Sequence, residues 1–573
     1  MQADFSISPA LERTTEGVQV RYGMTCRMPD GLELVADVYT PVGEGPFPVL
    51  LMRQPYGRDI ASTVVYAQPT WFCRQGFIVV IQDVRGRGDS EGDFNAFQYE
   101  AEDGFHTIRW AARLDQSNGH VGMYGFSYQG STQLLAATRR PPELKAMAPH
   151  MTAFDLYSGW FYRDGMLQQQ STLSWGNQML REDARRAGQW DLYRRLEASY
   201  ANPSQLLRQF PLREVQPLTD PGAAPYVRSW LERDQPDEYW QNLDTLSRAA
   251  ELADIPCFHL TGWYDFFTRG SMDGYRAMVR HCPEKQKLVA GPWSHIPWGT
   301  RIGGTALGKG ARYPVDEQLV EWMLHWCGAE DPGPVRGSPV TYFSMGDLRW
   351  HETATWPPPE AAARSFYLGS HGGANSLFGD GALLEDAKRA KETGDRFIYD
   401  PEVPVWGPGV GTTGYNWGPV DLFASQQGNN LLVYQSAQWN QPRSFAGQPV
   451  GHLWVQSSAS HTAFVLRLSI HRNGISEFLC LGAARLTPEH RLPDGSAFLE
   501  VFLDDIAFTI MPAESLCLDI ASSAYPLLAR HPNTATPLNA VPGAEAFQRA
   551  TQVILHDSLH PSRLILKEVP NAS

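Results

Sequence analysis

The stretch that most constrains this chain is Val121-Gly122-Met123-Tyr124-Gly125-Phe126-Ser127-Tyr128-Gln129-Gly130. An apolar, strand-like run ends in Gly-x-Ser-x-x-Gly, and helix-compatible residues Ser131 to Arg139 follow at once. Strand, sharp turn and helix form the setting in which a nucleophilic serine is held on a strained bend. Small neighbours let strand and helix approach, and they are present as Gly125, two residues before Ser127, and Gly130, three residues after. The serine hydroxyl then projects at a helix N-terminus, where free backbone N–H groups meet a developing oxyanion. The common signature has a second glycine two residues after the serine, and here Gln129 stands in its place. Gly-x-Ser by itself is also an ordinary turn, so the reading rests on what surrounds it.

Before and after this stretch, strand and helix patterns alternate. Leu32 to Tyr39 alternates like a half-buried strand, whereas Pro48 to Met52 and Phe77 to Gln82 are short Val/Leu/Ile runs of strands buried on both faces. Glu100 to Leu114 has helical spacing, with Ala101, Phe105, Ile108 and Ala112 on one stripe, and Leu144 to Ala148 reads as a further strand. The alternation predicts an α/β fold with a parallel sheet. From about Ala153 to Arg248 strand-like runs vanish, and segments such as Gln168 to Tyr193 read as an inserted helical cap. The sheet resumes at Ile255 to Thr261 and Lys287 to Ala290, with a helix from Asp316 to Cys327. A Pro-rich break at Trp356-Pro357-Pro358-Pro359 marks a linker. Beyond it Ser365–Leu368, Leu431–Tyr434, His452–Val455, Ala463–Ile470 and Phe498–Phe502 are short strands between turn residues, the pattern of a sandwich or jelly roll. The expected divisions are 1–150 for the first part of the core, 151–248 for the cap, 249–355 for the second part of the core and 356–573 for the β domain.

Bulk properties remove whole classes of function. A formal charge of −14 without a dense Lys/Arg run argues against nucleic acid and anionic membrane as partners. No apolar run approaches the ~18 residues of a membrane span, and Met1-Gln2-Ala3-Asp4-Phe5 carries neither part of a signal peptide. Seven scattered cysteines without Cys-x-x-Cys spacing argue against a disulfide framework or zinc ribbon and fit a reducing cytoplasm. The sixteen histidines show no metal-ligand spacing, so neither a metal nor another cofactor is expected. Gly303 to Lys309 copies the start of a phosphate loop, but Gly310 replaces the Ser/Thr and no strand precedes it, so it reads as a flexible loop. Arg87-Gly88-Asp89 spells an adhesion tripeptide that a cytoplasmic protein has no use for.

An acyl-transfer serine needs a base in reach and an acid to orient that base. In α/β-hydrolases these follow in the order Ser, Asp/Glu, His, each after a late strand. The two strands after the insertion end in Gly262-Trp263-Tyr264-Asp265 and Gly291-Pro292-Trp293-Ser294-His295. Each residue alone is weak evidence. The ordered set, each member at the C-terminal end of a strand, is strong.

With Arg53-Gln54-Pro55-Tyr56, the stretch Asp83 to Gly92, Gly125 to Gly130 and the two strand ends in this order, the chain resembles the cocaine esterase-like hydrolases, which share the X-Pro dipeptidyl-peptidase fold with the α-amino-acid ester hydrolases. The resemblance runs almost end to end, and Gly-x-Ser-Tyr-x-Gly is that family's own elbow, which accounts for Gln129. It implies an α/β-hydrolase core with an inserted helical cap and a C-terminal jelly roll. It implies Ser127 as nucleophile, His295 as base, Asp265 as its orienting acid, and an oxyanion hole from the backbone N–H of Tyr128 and the phenol of Tyr56. It also implies an acyl pocket walled by Trp160 and Trp175 of the cap and Phe267 beside Asp265; the bland alternative is that both tryptophans are cap core. The substrate class so implied is a small-molecule ester with an aromatic or bulky acyl group, and self-association is a family expectation. The alternatives are amidase or acylase, dipeptidyl-peptidase or amino-acid ester activity. Branches that bind a substrate ammonium place carboxylates near the catalytic loop; here Phe266-Phe267-Thr268-Arg269 follows Asp265, although cap acids such as Asp164 leave the point open.

Overall fold

The computed structural model describes residues 12–59, 61–328, 337–387, 394–407 and 418–570; Met1 to Phe5, where a signal peptide would begin, lie outside them. Eleven strands make one sheet: β1 Glu12–Thr15, β2 Val18–Arg27, β3 Glu33–Pro41, β4 Phe47–Gln54, β5 Ile78–Asp83, β6 Ser117–Phe126, β7 Leu144–His150, β8 Cys257–Gly262, β9 Gln286–Gly291, β10 Val340–Ser344 and β11 Arg349–Thr353. Their order is β1-β2-β3-β5-β4-β6-β7-β8-β9-β10-β11. Every residue of β5 is buried: the apolar run Ile78 to Ile81, as a central strand requires, and then Gln82 and Asp83, which meet Arg53 and Arg58.

The sheet is parallel only from β5 through β4 to β10. Its two edges are antiparallel, which the expectation of a parallel sheet missed. The connection decides this. β2 and β3 are joined by a tight turn closed by the N–H of Gly31 on the Met28 carbonyl, and so short a link cannot make a parallel crossover.

The helix Glu100–Ala111 buries a different stripe from the one its apolar residues suggest. Glu100, Asp103, Gly104, Thr107, Ile108 and Ala111 face inward, while Ala101, Phe105 and Ala112 are half-buried. The two acids are buried because each meets a guanidinium: Glu100 with Arg53 at 2.7 Å and Asp103 with Arg85 at 2.7 Å.

Between β7 and β8 lies the helical insertion, with main helices Gln169–Arg186, Trp190–Ala201 and Pro225–Glu232. It is not wholly free of strands: Tyr162–Arg163 pairs with Met166–Leu167 in a minimal hairpin whose turn residues Asp164 and Gly165 both have positive φ. The stretch after His295 is likewise a short hairpin, Arg301–Ile302 with Thr305–Ala306, where a flexible loop was expected.

Beyond the Trp356-Pro linker, thirteen strands form the C-terminal β domain among the described residues. Its longest pair is Thr462–Arg472 with Ile475–Leu486. One continuous apolar cluster runs from the cap through the loops above the sheet into this sandwich. Polar ties join the same parts: Arg163 of the cap meets Asp504 at 2.8 Å, Arg276 of the core meets Asp505 at 2.7 Å, and the Tyr264 hydroxyl donates to the Phe478 carbonyl at 3.2 Å. Among the described residues no helix is long and apolar enough to cross a membrane.

Candidate active site

β6 ends at Phe126 and the helix Tyr128–Ala137 begins two residues later, so Ser127 occupies the bend. Its backbone sits at φ 62° and ψ −128°, a region that costs a non-glycine residue about 1–3 kcal/mol. The surroundings enforce it. The Ser127 N–H points at the carbonyls of His150 (3.0 Å) and Met151 (3.1 Å). A Cβ on Gly125 would lie 2.5 Å from Cβ of Gln129, and one on Gly130 2.7 Å from Cγ2 of Thr152. Gln129 is tolerated in the usual glycine position because its side chain folds back, Oε1 accepting from the Phe126 N–H at 3.3 Å. Gln133, one helical turn on, donates to the carbonyls of Gly125, Gln129 and Ala148 and accepts from the Ala148 N–H.

Asp265 and His295 come together because the loops after β8 and β9 are knitted by their backbones. The N–H of Trp263 donates to Gly291 at 2.9 Å and that of Tyr264 to Trp293 at 3.0 Å. Oδ2 of Asp265 then lies 3.0 Å from Nδ1 of His295, while Oδ1 accepts from the Phe267 N–H at 3.0 Å. Asp265 is 1%, His295 5% and Ser127 6% exposed, so the three are shielded from bulk water. The imidazole packs against Phe126, the residue before the serine, with ring centroids 5.2 Å apart. With Nδ1 on the carboxylate, Nε2 is the nitrogen that can serve Ser127.

Tyr56 reaches the serine from the loop after β4. Its hydroxyl accepts from Nε1 of Trp175 at 3.2 Å, and burial pushes the phenol up to about 12. The loop is anchored by Arg58, which meets Asp83 at 2.6 Å, Asp37 at 2.9 Å and Asp89 at 2.8 Å. Burial pushes the Asp83 carboxyl up to about 6, against the pull of Arg58. Tyr128 offers the site its backbone N–H, which as the first of its helix has no intrahelical acceptor. Its side chain points away: the hydroxyl donates to Glu100 at 2.8 Å and accepts from the Phe97 N–H at 2.9 Å. Glu100, raised above the usual carboxylate range by burial, and Arg53 thus form a buried post beneath the elbow.

Trp160, Trp175 and Phe267 meet in one aromatic cluster. Trp160 lies 4.3 Å from Phe267 and 5.2 Å from Trp175, and Phe267 lies 5.3 Å from the His295 ring. Trp160 is 3% exposed, whereas Trp175 keeps more surface. Three further rings were not singled out from the sequence. Phe266 packs on His295 at 5.1 Å, Trp230 stacks on Trp175 at 5.1 Å, and Phe97 touches Trp160, Trp175 and Tyr128. Nothing in the local sequence of Phe97 marks it; its φ of 70° is a property of the folded loop. On the other side of the Tyr56 loop, a cavity of about 460 Å³ is lined by charged groups, among them Arg58, Asp89, Glu182 and Arg186. Arg87 of the adhesion-like tripeptide is buried, pairing with Asp183 of the cap at 2.8 Å. Among the described residues no group of three or more His, Cys, Asp and Glu could hold a metal ion.

A serine on a strand–helix elbow, with aspartate and histidine on the loops after the next two strands, defines a serine hydrolase of the α/β-hydrolase class. Residues 30–297 match the X-Pro dipeptidyl-peptidase (S15) family, and residues 335–565 match the C-terminal non-catalytic domain of X-Pro dipeptidyl-peptidases. Cocaine esterase of Rhodococcus sp. (strain MB1 Bresler) is 31% identical over 94% of this chain and 96% of its own length. The fold also matches two solved structures at 21% identity: an aminopeptidase from a marine sediment archaeon, Thaumarchaeota archaeon (TM-score 0.79, covering 99% of this chain and 100% of the other), and an α-amino acid ester hydrolase (TM-score 0.76, covering 99% of each). The chain belongs to the family of cocaine esterase and the X-Pro dipeptidyl-peptidases.

Proposed function

We propose that this enzyme hydrolyses carboxylic esters through an acyl-serine at Ser127, with preference for aromatic or bulky apolar acyl groups. The observation that carries the reading is the 3.0 Å contact of Asp265 with Nδ1 of His295 beside the strained Ser127 elbow. Ser127 Oγ attacks the acyl carbonyl as its proton passes to Nε2 of His295, and Asp265 steadies the imidazolium. The carbonyl oxygen becomes an oxyanion between the N–H of Tyr128 and the phenol of Tyr56. Collapse expels the alcohol, which takes the proton from His295. Water then gives a proton to His295, its oxygen attacks the acyl-serine, and the acid leaves as Ser127 regains its hydrogen.

The aromatic wall of Trp160, Trp175 and Phe267, in contact with His295 through Phe267, supports an apolar acyl group. The likeness to the Rhodococcus cocaine esterase supports an ester over an amide. Asp164, the cap acid that left an ammonium site open, is bonded to Arg269 at 3.1 Å, which supports a substrate without an α-amine requirement. Dipeptidyl-peptidase or amino-acid ester activity is the second reading, favoured by the match of residues 30–297. The division at 150, 248 and 355 is proposed for the units of the chain, supported by the cap's insertion between β7 and β8 and by the linker before the β domain. A cytoplasmic setting is supported by seven free cysteines, and a homo-oligomer rests on the family alone.

The test compares p-nitrophenyl acetate, a benzoate ester and an amino-acyl p-nitroanilide on wild type and Ser127→Ala. Ester turnover is expected to exceed anilide turnover and to fall about 10⁵-fold in the variant. Preferred cleavage of the anilide would move the enzyme to the peptidase reading; ester turnover that survives in Ser127→Ala would remove Ser127 as nucleophile.

A further inference from the structure

We infer that Trp175 is a positioning residue of the oxyanion hole: its indole N–H, donated to the oxygen of Tyr56, turns the phenol proton toward Ser127. The inference rests on the reading of Tyr56 as an oxyanion donor. An indole nitrogen carries one hydrogen and accepts none, whereas a phenol has one proton and two lone pairs. At 3.2 Å from Nε1 of Trp175, the Tyr56 oxygen is therefore the acceptor, and its own proton cannot lie on that side. The phenol is left as donor toward the place where the oxyanion forms.

The indole is itself held in place. Its ring stacks on Trp230 at 5.1 Å and 13°, and lies 5.2 Å from Trp160 and 5.7 Å from Phe97. Trp230 is wholly buried, and its carbonyl accepts from the Tyr162 hydroxyl at 2.8 Å. A hydroxyl whose direction is set before the reaction has no rotation left to make when charge appears on the substrate oxygen. A donor on the phenol oxygen also polarises its O–H bond, since hydrogen bonds in a chain strengthen one another. Trp175 thus differs from Trp160 and Phe267: it walls the acyl pocket with its ring and sets the oxyanion donor with its N–H.

The two roles separate when the bicyclic ring is kept and the N–H removed, by placing 3-benzothienylalanine at position 175. With the benzothienyl residue, kcat on the acetate and benzoate esters is expected to fall by the same factor, about 3- to 10-fold, with KM little changed. In a Tyr56→Phe background the same replacement is expected to leave kcat unaltered, because there is no phenol to orient. Trp175→Phe, which trims the wall as well, is compared in the same two backgrounds on the acetate ester alone, whose acyl group is too small to need that wall, and guards against poor incorporation of the analogue. Full kcat without the N–H, a loss confined to the benzoate ester, or an equal loss in the Tyr56→Phe background would each overturn the inference. If Tyr56→Phe itself leaves kcat untouched, the oxyanion reading beneath it fails instead.

Discussion

Tyr56 keeps its phenol proton further into alkali than an exposed tyrosine, because burial disfavours the phenolate and pushes the group up to about 12. The donor form is therefore complete through neutral and moderately alkaline pH and is lost only as pH rises toward that value. The expected kcat profile on p-nitrophenyl acetate has no falling limb from this group up to about pH 10. On the proposed role of Tyr56 as an oxyanion donor, Tyr56→Phe should lower kcat about 10²–10³-fold without altering the profile's shape over that range. A wild-type limb near pH 10 that vanishes in Tyr56→Phe would show an unshifted phenol. For Asp265, the 3.0 Å bond to Nδ1 predicts that Asp265→Asn costs about 10⁴ in kcat by favouring the wrong tautomer, read from the same assay.

The elbow and its helix act as one element, and Gln133 is the pin between them. Its amide serves the carbonyls of Gly125 on β6, Gln129 in the helix and Ala148 on β7, together with the Ala148 N–H, all buried. Leucine fills a similar volume with no polar atoms, so Gln133→Leu removes all four bonds, although the Gln129 carbonyl keeps the Thr132 hydroxyl at 2.8 Å. At about 1–3 kcal/mol for each buried group left without a partner, a loss of about 3 kcal/mol or more is expected in urea unfolding. Because the same bonds hold the strained Ser127, kcat should fall with the stability. An unchanged urea midpoint would deny the pin any structural role. Helix Glu100–Ala111 shows the same logic, since its buried face is chosen by the ion pairs of Glu100 and Asp103 rather than by its apolar residues.

The cap, core and β domain are tied by buried charges, and these should set the stability of the whole. Arg163 and Asp504 are 4% and 2% exposed at their side chains. Arg163→Met removes one partner and strands the other, a change that typically costs about 3–5 kcal/mol. A thermal midpoint lowered by several degrees is expected; no change would make the pair incidental. His531, in the β domain, is held neutral by burial, its pKa pushed down from 6.5 to about 3. Unfolding frees it to take a proton, so the stability it contributes is full above about 6.5 and is lost as pH falls from there toward about 3. Between pH 8 and pH 5 the thermal midpoint of His531→Gln should therefore drop by less than that of wild type. An equal or larger drop would mean that His531 already carries its proton in the folded protein.

Much of this molecule is legible without coordinates. Short Val/Leu/Ile runs announce buried strands, Gly125 and Gly130 announce a bend too tight for side chains, and Ser127, Asp265 and His295 stand in hydrolase order at strand ends. These are local or ordinal facts, and chain order carries them. Tertiary packing alone decided the rest. The antiparallel pairing of β3 with β5, the inward face of helix Glu100–Ala111, the place of Phe97 among the aromatics and the bond from Trp175 to Tyr56 join residues far apart in sequence. The Trp175–Tyr56 bond spans 119 positions and two structural units, and no periodicity or spacing in either segment points to the other. Local propensity selects elements and their termini; which donor meets which acceptor follows only when those elements pack and burial leaves each polar group a single partner within reach.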